Sequence, residues 1–324
     1  MCVKSPSNKS RISRAASACE VRGAIGLKRV LVTGANGFVG RHSLAPLMER
    51  GYEVHAAGLG PRAPFVPEGV LWYDTDLLNP VSCRDLLAAA QPSHLLHFAW
   101  YAAHGLFWAS PENLRWVEAT LSLLRHFRDA GGVRFVGAGS CAEYESQAGA
   151  CHEERTARKP ANLYGVCKNA VQEILAGYAQ TTGLSSAWGR IFFLHGPNEH
   201  PDRLVASVIR SLIEGRSAKC TEGLQVRDFL HVQDVGGAFA ALVDHDAKGP
   251  VNIASGEAVS VRAIVEIIAR LIGRPELVEF GALPTRPGEV PAIFADTGRL
   301  NNEVGFRPRL SLEEGLGRTI ESYR

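Results

Sequence analysis

Tyr164 and Lys168 stand four residues apart in the run Tyr164-Gly165-Val166-Cys167-Lys168, a spacing that puts both side chains on one face of a helix. An ammonium beside a phenol favours the phenolate and brings a tyrosine, normally near pKa about 10, towards the range of a general acid/base. Ser140 lies 24 residues earlier, at the end of the strand-like run Val133–Gly139, where a hydroxyl can hold a carbonyl oxygen. Near the start, Val30-Leu31-Val32 is followed by Thr33-Gly34-Ala35-Asn36-Gly37-Phe38-Val39-Gly40, whose glycines are spaced GxxGxxG, with a helix expected from about Phe38. Glycines so placed let the backbone approach a pyrophosphate, and the N–H groups and dipole of the following helix attract the anion. Together these residues describe a dinucleotide site beside a proton-transfer pair.

Positioning them takes alternating elements. Arg29–Thr33, Glu53–Ala57, Val70–Tyr73, His94–Ala99, Val133–Gly139 and Ser185–Phe192 read as strands, each followed by a helical stretch. That rhythm implies right-handed crossovers and a parallel sheet covered on both faces, a Rossmann-like doubly wound α/β fold. Beyond Gly196 the pattern loosens into helices at Asp202–Glu214, Asp234–Val243 and Val261–Ile272, with short strands at Ser217–Cys220 and Leu224–Leu230. We therefore expect a dinucleotide-binding domain over residues 29–196 and a smaller C-terminal α/β substrate lobe over 197–324.

NAD-binding folds usually hold the ribose 2′-hydroxyl with an acid at the end of the second strand. Here that strand ends Ala57-Gly58-Leu59-Gly60, the next acid is Glu68, and Arg62 stands where it could meet a 2′-phosphate. The expectation is NADP(H), with NAD(H) as the alternative.

The chain has 324 residues, 46% hydrophobic and 21% charged, which suits a folded enzyme and excludes collagen, coiled coil and wholesale disorder. Residues 1–28 carry six Lys/Arg against one acid, and the remainder 29 basic against 32 acidic groups. The first part reads as a disordered basic leader, with a transit peptide as the lesser alternative, and the body offers no basic stripe for nucleic acid. Seven scattered cysteines fit a reducing cytoplasm, and no stretch has the apolar length of a membrane helix. No metal site is expected, and His195 reads as a packing residue.

In order and spacing these motifs resemble the extended short-chain dehydrogenase/reductase family, in its nucleotide-sugar epimerase/dehydratase/reductase branch, over residues 29–322. Besides the glycine loop and the Ser140, Tyr164 and Lys168 set, the resemblance rests on Asp76-Leu77, His97-Phe98-Ala99-Trp100, Arg227-Asp228-Phe229-Leu230-His231-Val232-Gln233-Asp234 and Arg286-Pro287-Gly288-Glu289. It implies an enzyme acting on a nucleotide-diphosphate sugar. Tyr164 would move the proton at a sugar oxygen, Lys168 would lower its pKa and hold the nicotinamide ribose, and Ser140 would bond the same oxygen. Gly34, Asn36, Gly37, Phe38, Val39, Gly40, Asp76, Leu77, Phe98, Ala99 and Trp100 would line the cofactor, and Arg227 and Arg286 would grip the diphosphate. A homodimer through Pro111–Ala130 and Ala161–Thr181 is also implied by the resemblance, although the stripe Leu114, Val117, Leu121 and Leu124 is of a kind more often found as intramolecular core.

Departures narrow the reaction. The acid pair that dehydratases carry after the catalytic hydroxyl is Cys141-Ala142 here, and the cysteine that GDP-fucose synthases carry two positions on is Ala142. Cys141 and Glu143 remain candidate sugar contacts, as does Phe193, where epimerases of this type usually have Asn. Simple redox at one carbon is left. The expectation is NADPH-dependent reduction of a 4-keto-6-deoxy sugar, with NAD-dependent C4 epimerisation as the alternative and a non-enzymatic NAD(P) sensor behind both.

Overall fold

Apolar runs without alternation, such as Val30-Leu31-Val32 and Leu95-Leu96, are strands buried on both faces. The computed structural model, which describes residues 28–145, 149–285 and 288–324, sets seven strands, one of them a partly exposed edge strand, in one parallel sheet. They are β1 (Arg29–Thr33), β2 (Glu53–Gly58), β3 (Leu71–Asp74), β4 (His94–His97), β5 (Arg134–Ser140), β6 (Ser185–Ile191) and β7 (Gly249–Ile253), in spatial order 3-2-1-4-5-6-7. The direction of winding reverses between β1 and β4, so a crevice opens outside their carboxyl ends, the usual ligand position of such sheets.

The helices are α1 (Leu44–Glu49), α2 (Pro80–Ala90), α3 (Glu112–Asp129), α4 (Leu163–Thr182), α5 (Leu204–Ile213), α6 (Val232–Asp244), α7 (Val261–Ile272) and α8 (Leu312–Glu321). Leu44 and Leu47 of α1 pack with Val235, Phe239 and Leu242 of α6 on one side of the sheet. Leu86 of α2, Leu123 and Phe127 of α3 and Val171 and Leu175 of α4 fill the other side. This is the doubly wound arrangement expected. Helix ends follow side-chain chemistry: Asn79 caps α2 ahead of Pro80, Asn162 caps α4, and Ser311 with Glu314 forms a capping box on α8.

Several element boundaries differ from expectation, and two of them are instructive. The helix expected from about Phe38 starts at Leu44, after a 3-10 turn over Gly40–Ser43. Pro46 has no N–H for an unbroken helical ladder and is tolerated only in a first turn, so α1 begins just before it. The expected strand Ser185–Phe192 stops at Ile191, and Phe193–His195 turns off to pair in parallel with Phe229–His231.

The smaller lobe packs Val205 and Ile209 of α5 against Ile264 and Ile268 of α7 and Leu316 of α8. From beyond residue 196, α6 and β7 return to the large sheet. A polar knot ties the segment just past β7 to two others: buried Asp228 accepts bonds from Ser255 N and Oγ at 2.8 and 2.6 Å, from Gly256 N at 2.9 Å and from Ala295 N at 3.2 Å. Residues 1–27, hence nearly all of the expected leader, lie outside the described residues. Among those described, no helix is long and apolar enough to cross a membrane.

Removing the Asp228 carboxylate leaves buried donors without an acceptor. Asp228→Ala is expected to lower unfolding free energy by about 3 kcal/mol, read as a lower urea midpoint; an unchanged midpoint would dismiss the knot as a fastening of these segments.

Candidate active site

The carboxyl end of β5 sits in the crevice, and Ser140 is its last residue. There the chain turns through a single 3-10 turn, Cys141–Glu143, closed by a capping box: the Ser140 hydroxyl accepts Ala142 N at 3.2 Å, and the Glu143 carboxylate accepts Ser140 N at 2.8 Å. Glu143 is 0% exposed and forms an ion pair with equally buried Arg190, Nε to Oε2 at 2.7 Å, while Trp188 Nε1 donates to its other oxygen at 2.9 Å. It is therefore no sugar contact, contrary to expectation; its place is beneath Ser140, holding the turn. Cys141 lies beside Ser140 with its thiol pushed up to about 12 by burial, so it stays protonated.

The first turn of α4 packs onto this turn at Gly165, where any side chain would start 2.3 Å from the Ala142 carbonyl oxygen. That contact carries Tyr164 to Ser140, close enough for the serine hydroxyl to favour the phenolate. Phe107 and Trp108 flank the phenol, ring centroids 4.8 and 5.8 Å away, and Tyr164 N donates to the Trp108 carbonyl at 3.1 Å. Neither aromatic was expected at the site; the Leu106-Phe107-Trp108 run following β4 was the available signal.

Lys168, 4% exposed, donates from Nζ to the Ala138 carbonyl at 2.8 Å and lies 3.8 Å from the centre of the Trp100 ring. Burial lowers its pKa from 10.5 to about 7, opposed by the charge of Glu143. Its Nζ is 5.9 Å from the Tyr164 ring centre. Burial also raises the Tyr164 pKa, with the nearby Ser140 hydroxyl pulling the other way, so the acidification expected from Lys168 is outweighed in the protein alone. The resting phenol is protonated.

At the far wall, Gly34 has φ +68°, and a side chain on it would start 2.7 Å from Ala99 N. The first loop thus closes directly on the backbone of Phe98 and Ala99, forming the cradle that a dinucleotide pyrophosphate needs. Gly37 N bonds back to the Gly34 carbonyl, and Asn36 Nδ2 reaches the Leu59 carbonyl at 2.9 Å. Phe38 and Val39 pack on the core below, as does Phe98, edge-on to Phe239. Leu77 buries its side chain in the core, leaving only its backbone for a ligand, and exposed Asp76 bonds Leu78 N at 2.9 Å. Arg62 is the second correction. It turns to the Val66, Pro67 and Val70 carbonyls at 3.2, 2.8 and 3.2 Å, so the expected partner of a 2′-phosphate is engaged within its own loop.

On the substrate side, Arg227 is buried against the half-buried Phe193 ring and bonds the Val226 and Val290 carbonyls and Glu289 Oε1. Arg286 lies outside the described residues. His195 is buried beside His231 and bonded to Thr319, its pKa lowered to about 3 by burial, a packing residue as expected.

The sequence profile of the NAD dependent epimerase/dehydratase family matches residues 30–254. A UDP-glucuronate 4-epimerase of Thermodesulfobacterium geofontis is 27% identical over 261 residues, covering 78% of this chain and 79% of its own. A UDP-glucose 4-epimerase of Streptomyces lividans is 29% identical over 304 residues, covering 86% and 91%. Among solved structures, MoeE5 in complex with UDP-glucose and NAD is 33% identical, with TM-score 0.79 over 91% of this chain and 98% of its own.

Because Lys168 titrates near 7 when folded and near 10.5 when unfolded, folding below pH 7 must bury an ammonium, and that penalty fades as pH rises from 7 towards 10.5. Lys168→Met is expected to stabilise the protein by about 2 kcal/mol at pH 6 and by less at pH 9, in denaturant titrations at the two values. A gain independent of pH would mean that the buried charge is not its source.

Proposed function

The chain belongs to the NAD dependent epimerase/dehydratase family, and on that premise we propose that it is a UDP-sugar 4-epimerase that oxidises the C4 hydroxyl and reduces the ketone again from the opposite face. The observation that carries this reading is Tyr164 brought to Ser140 at the mouth of the crevice by the contact of Gly165 with the Ala142 carbonyl, with a protonated thiol and Ala142 where elimination would need an acid and a base. One proton-transfer pair serves redox at one carbon. Net reduction drew part of its support from Arg62 as a reader of NADP, beside the missing second-strand acid and Phe193, and Arg62 is occupied by carbonyls. The named relatives favour the alternative, epimerisation.

In this reading Tyr164 takes the proton from the C4 hydroxyl and returns it, while Ser140 holds the same oxygen. When bound, NAD supplies a hydride acceptor at C4 and, in its oxidised form, a positive charge that favours the phenolate. The Gly34, Gly37 and Gly40 loop would hold its pyrophosphate, and Lys168 its nicotinamide ribose. Arg227 and Arg286 would anchor the sugar's diphosphate, which leaves the hexose free to turn its other face. Phe107 and Trp108 shield the phenol from water. Exposed Leu114 on α3 and Val166 and Ile174 on α4 support a homodimer through these two helices.

Purified protein supplied with UDP-glucose or UDP-glucuronate is expected to form the C4 epimer without added reductant. Tyr164→Phe should keep NAD binding and lose about 10²- to 10⁴-fold in kcat. NADPH consumption that depends on a 4-keto-6-deoxy sugar nucleotide, without epimer formation, would contradict the proposal.

A further inference from the structure

The usual place for the ribose-binding acid, the end of β2, is Gly58. No side chain fits there: its first carbon would lie 2.7 Å from Asn36 Oδ1 and 2.9 Å from the Trp72 ring. The face of the sheet that an acid at residue 58 would use is thus already identified, because Asn36 belongs to the pyrophosphate loop.

β3 runs parallel to β2 with Asp74 directly opposite Gly58 and Trp72 opposite Ala56. Opposed residues of parallel strands point to the same face, as do residues two apart on one strand. Trp72, whose ring covers Gly58 and whose Nε1 donates to the Gly60 carbonyl at 3.1 Å, fixes that face as the one shared by Asp74. The Asp74 carboxylate is exposed, and its Oδ1 accepts Gly60 N at 2.8 Å. Beyond it lies room: nothing stands within 4 Å of where a Gly60 side chain would begin. The nearby cations do not compete for the position. Arg62 faces the 66–70 carbonyls, and Arg41 donates to the Asn36 and Gly37 carbonyls at 2.9 and 3.1 Å.

We infer that Asp74, from the third strand rather than the second, is the acid that receives the adenosine ribose hydroxyls and selects NAD against NADP. A carboxylate oxygen accepts a bond from the 2′-hydroxyl and repels a 2′-phosphate. This rests on the cofactor part of the proposed function and not on the sugar chemistry.

The test is equilibrium binding by calorimetry, which needs no turnover, using NAD, NADP, adenosine 5′-phosphate and adenosine 2′,5′-bisphosphate. The intact protein is expected to bind NAD at least about ten-fold more tightly than NADP, and the two adenosine nucleotides in the same order. Asp74→Asn keeps the size of the side chain and an acceptor for Gly60 N while removing the charge. It should shrink the NAD-to-NADP ratio at least about ten-fold, with the unfolding temperature unchanged. Asp74→Ser should do the same. Tighter binding of NADP by the intact protein, or an equal loss for both cofactors in Asp74→Asn, overturns the inference. Failure of epimerisation with the ratio preserved would count against the proposed function alone.

Discussion

Two opposite charges with no exposure to solvent hold the turn after Ser140 in place. Glu143 and Arg190 come from β5's following turn and from β6, 47 residues apart, and each would be costly alone in the interior. Together they organise what surrounds them. The carboxylate ties down Ser140 N and the Trp188 indole; the guanidinium reaches the Tyr144 hydroxyl, the Glu153 carbonyl and Gln172 on α4. The end of β5, the neighbouring strand and the helix bearing Tyr164 and Lys168 are thereby referred to one buried point. In the proposed reaction, two hydroxyls that hold one oxygen within hydrogen-bond reach would depend on such a frame.

The same dryness sets the chemistry. Burial lowers Lys168 towards neutrality and raises Tyr164, so the protein alone holds a protonated phenol. The proton-accepting form has to be favoured by charge arriving with the ligands, which confines activation to the assembled complex.

Much of this was legible in the sequence where spacing is local. The i, i+4 relation of Tyr164 and Lys168, Ser140 at a strand end, the GxxGxxG loop and the limits of α7 were all readable from short windows. What escaped depends on neighbours far along the chain. Glu143 read as a sugar contact because Arg190 is remote in sequence, and Arg62 read as a phosphate ligand because the carbonyls it meets belong to a turn whose shape no side chain announces. Asp74 was passed over because the rule for ribose binding names the second strand, and only the pairing register shows that Gly58 has no room and Asp74 stands beside it. The start of α1 was different: Pro46 was in plain view, and its missing N–H was enough to place the helix later.

The most direct test of the account follows the hydrogen at C4. UDP-glucose carrying deuterium at C4 should yield its epimer with the label still on C4, and unlabelled substrate turned over in D₂O should take up none there, because the hydrogen that leaves is the one that returns. Loss of the label, or solvent deuterium at C4, would contradict an oxidation and re-reduction at this carbon.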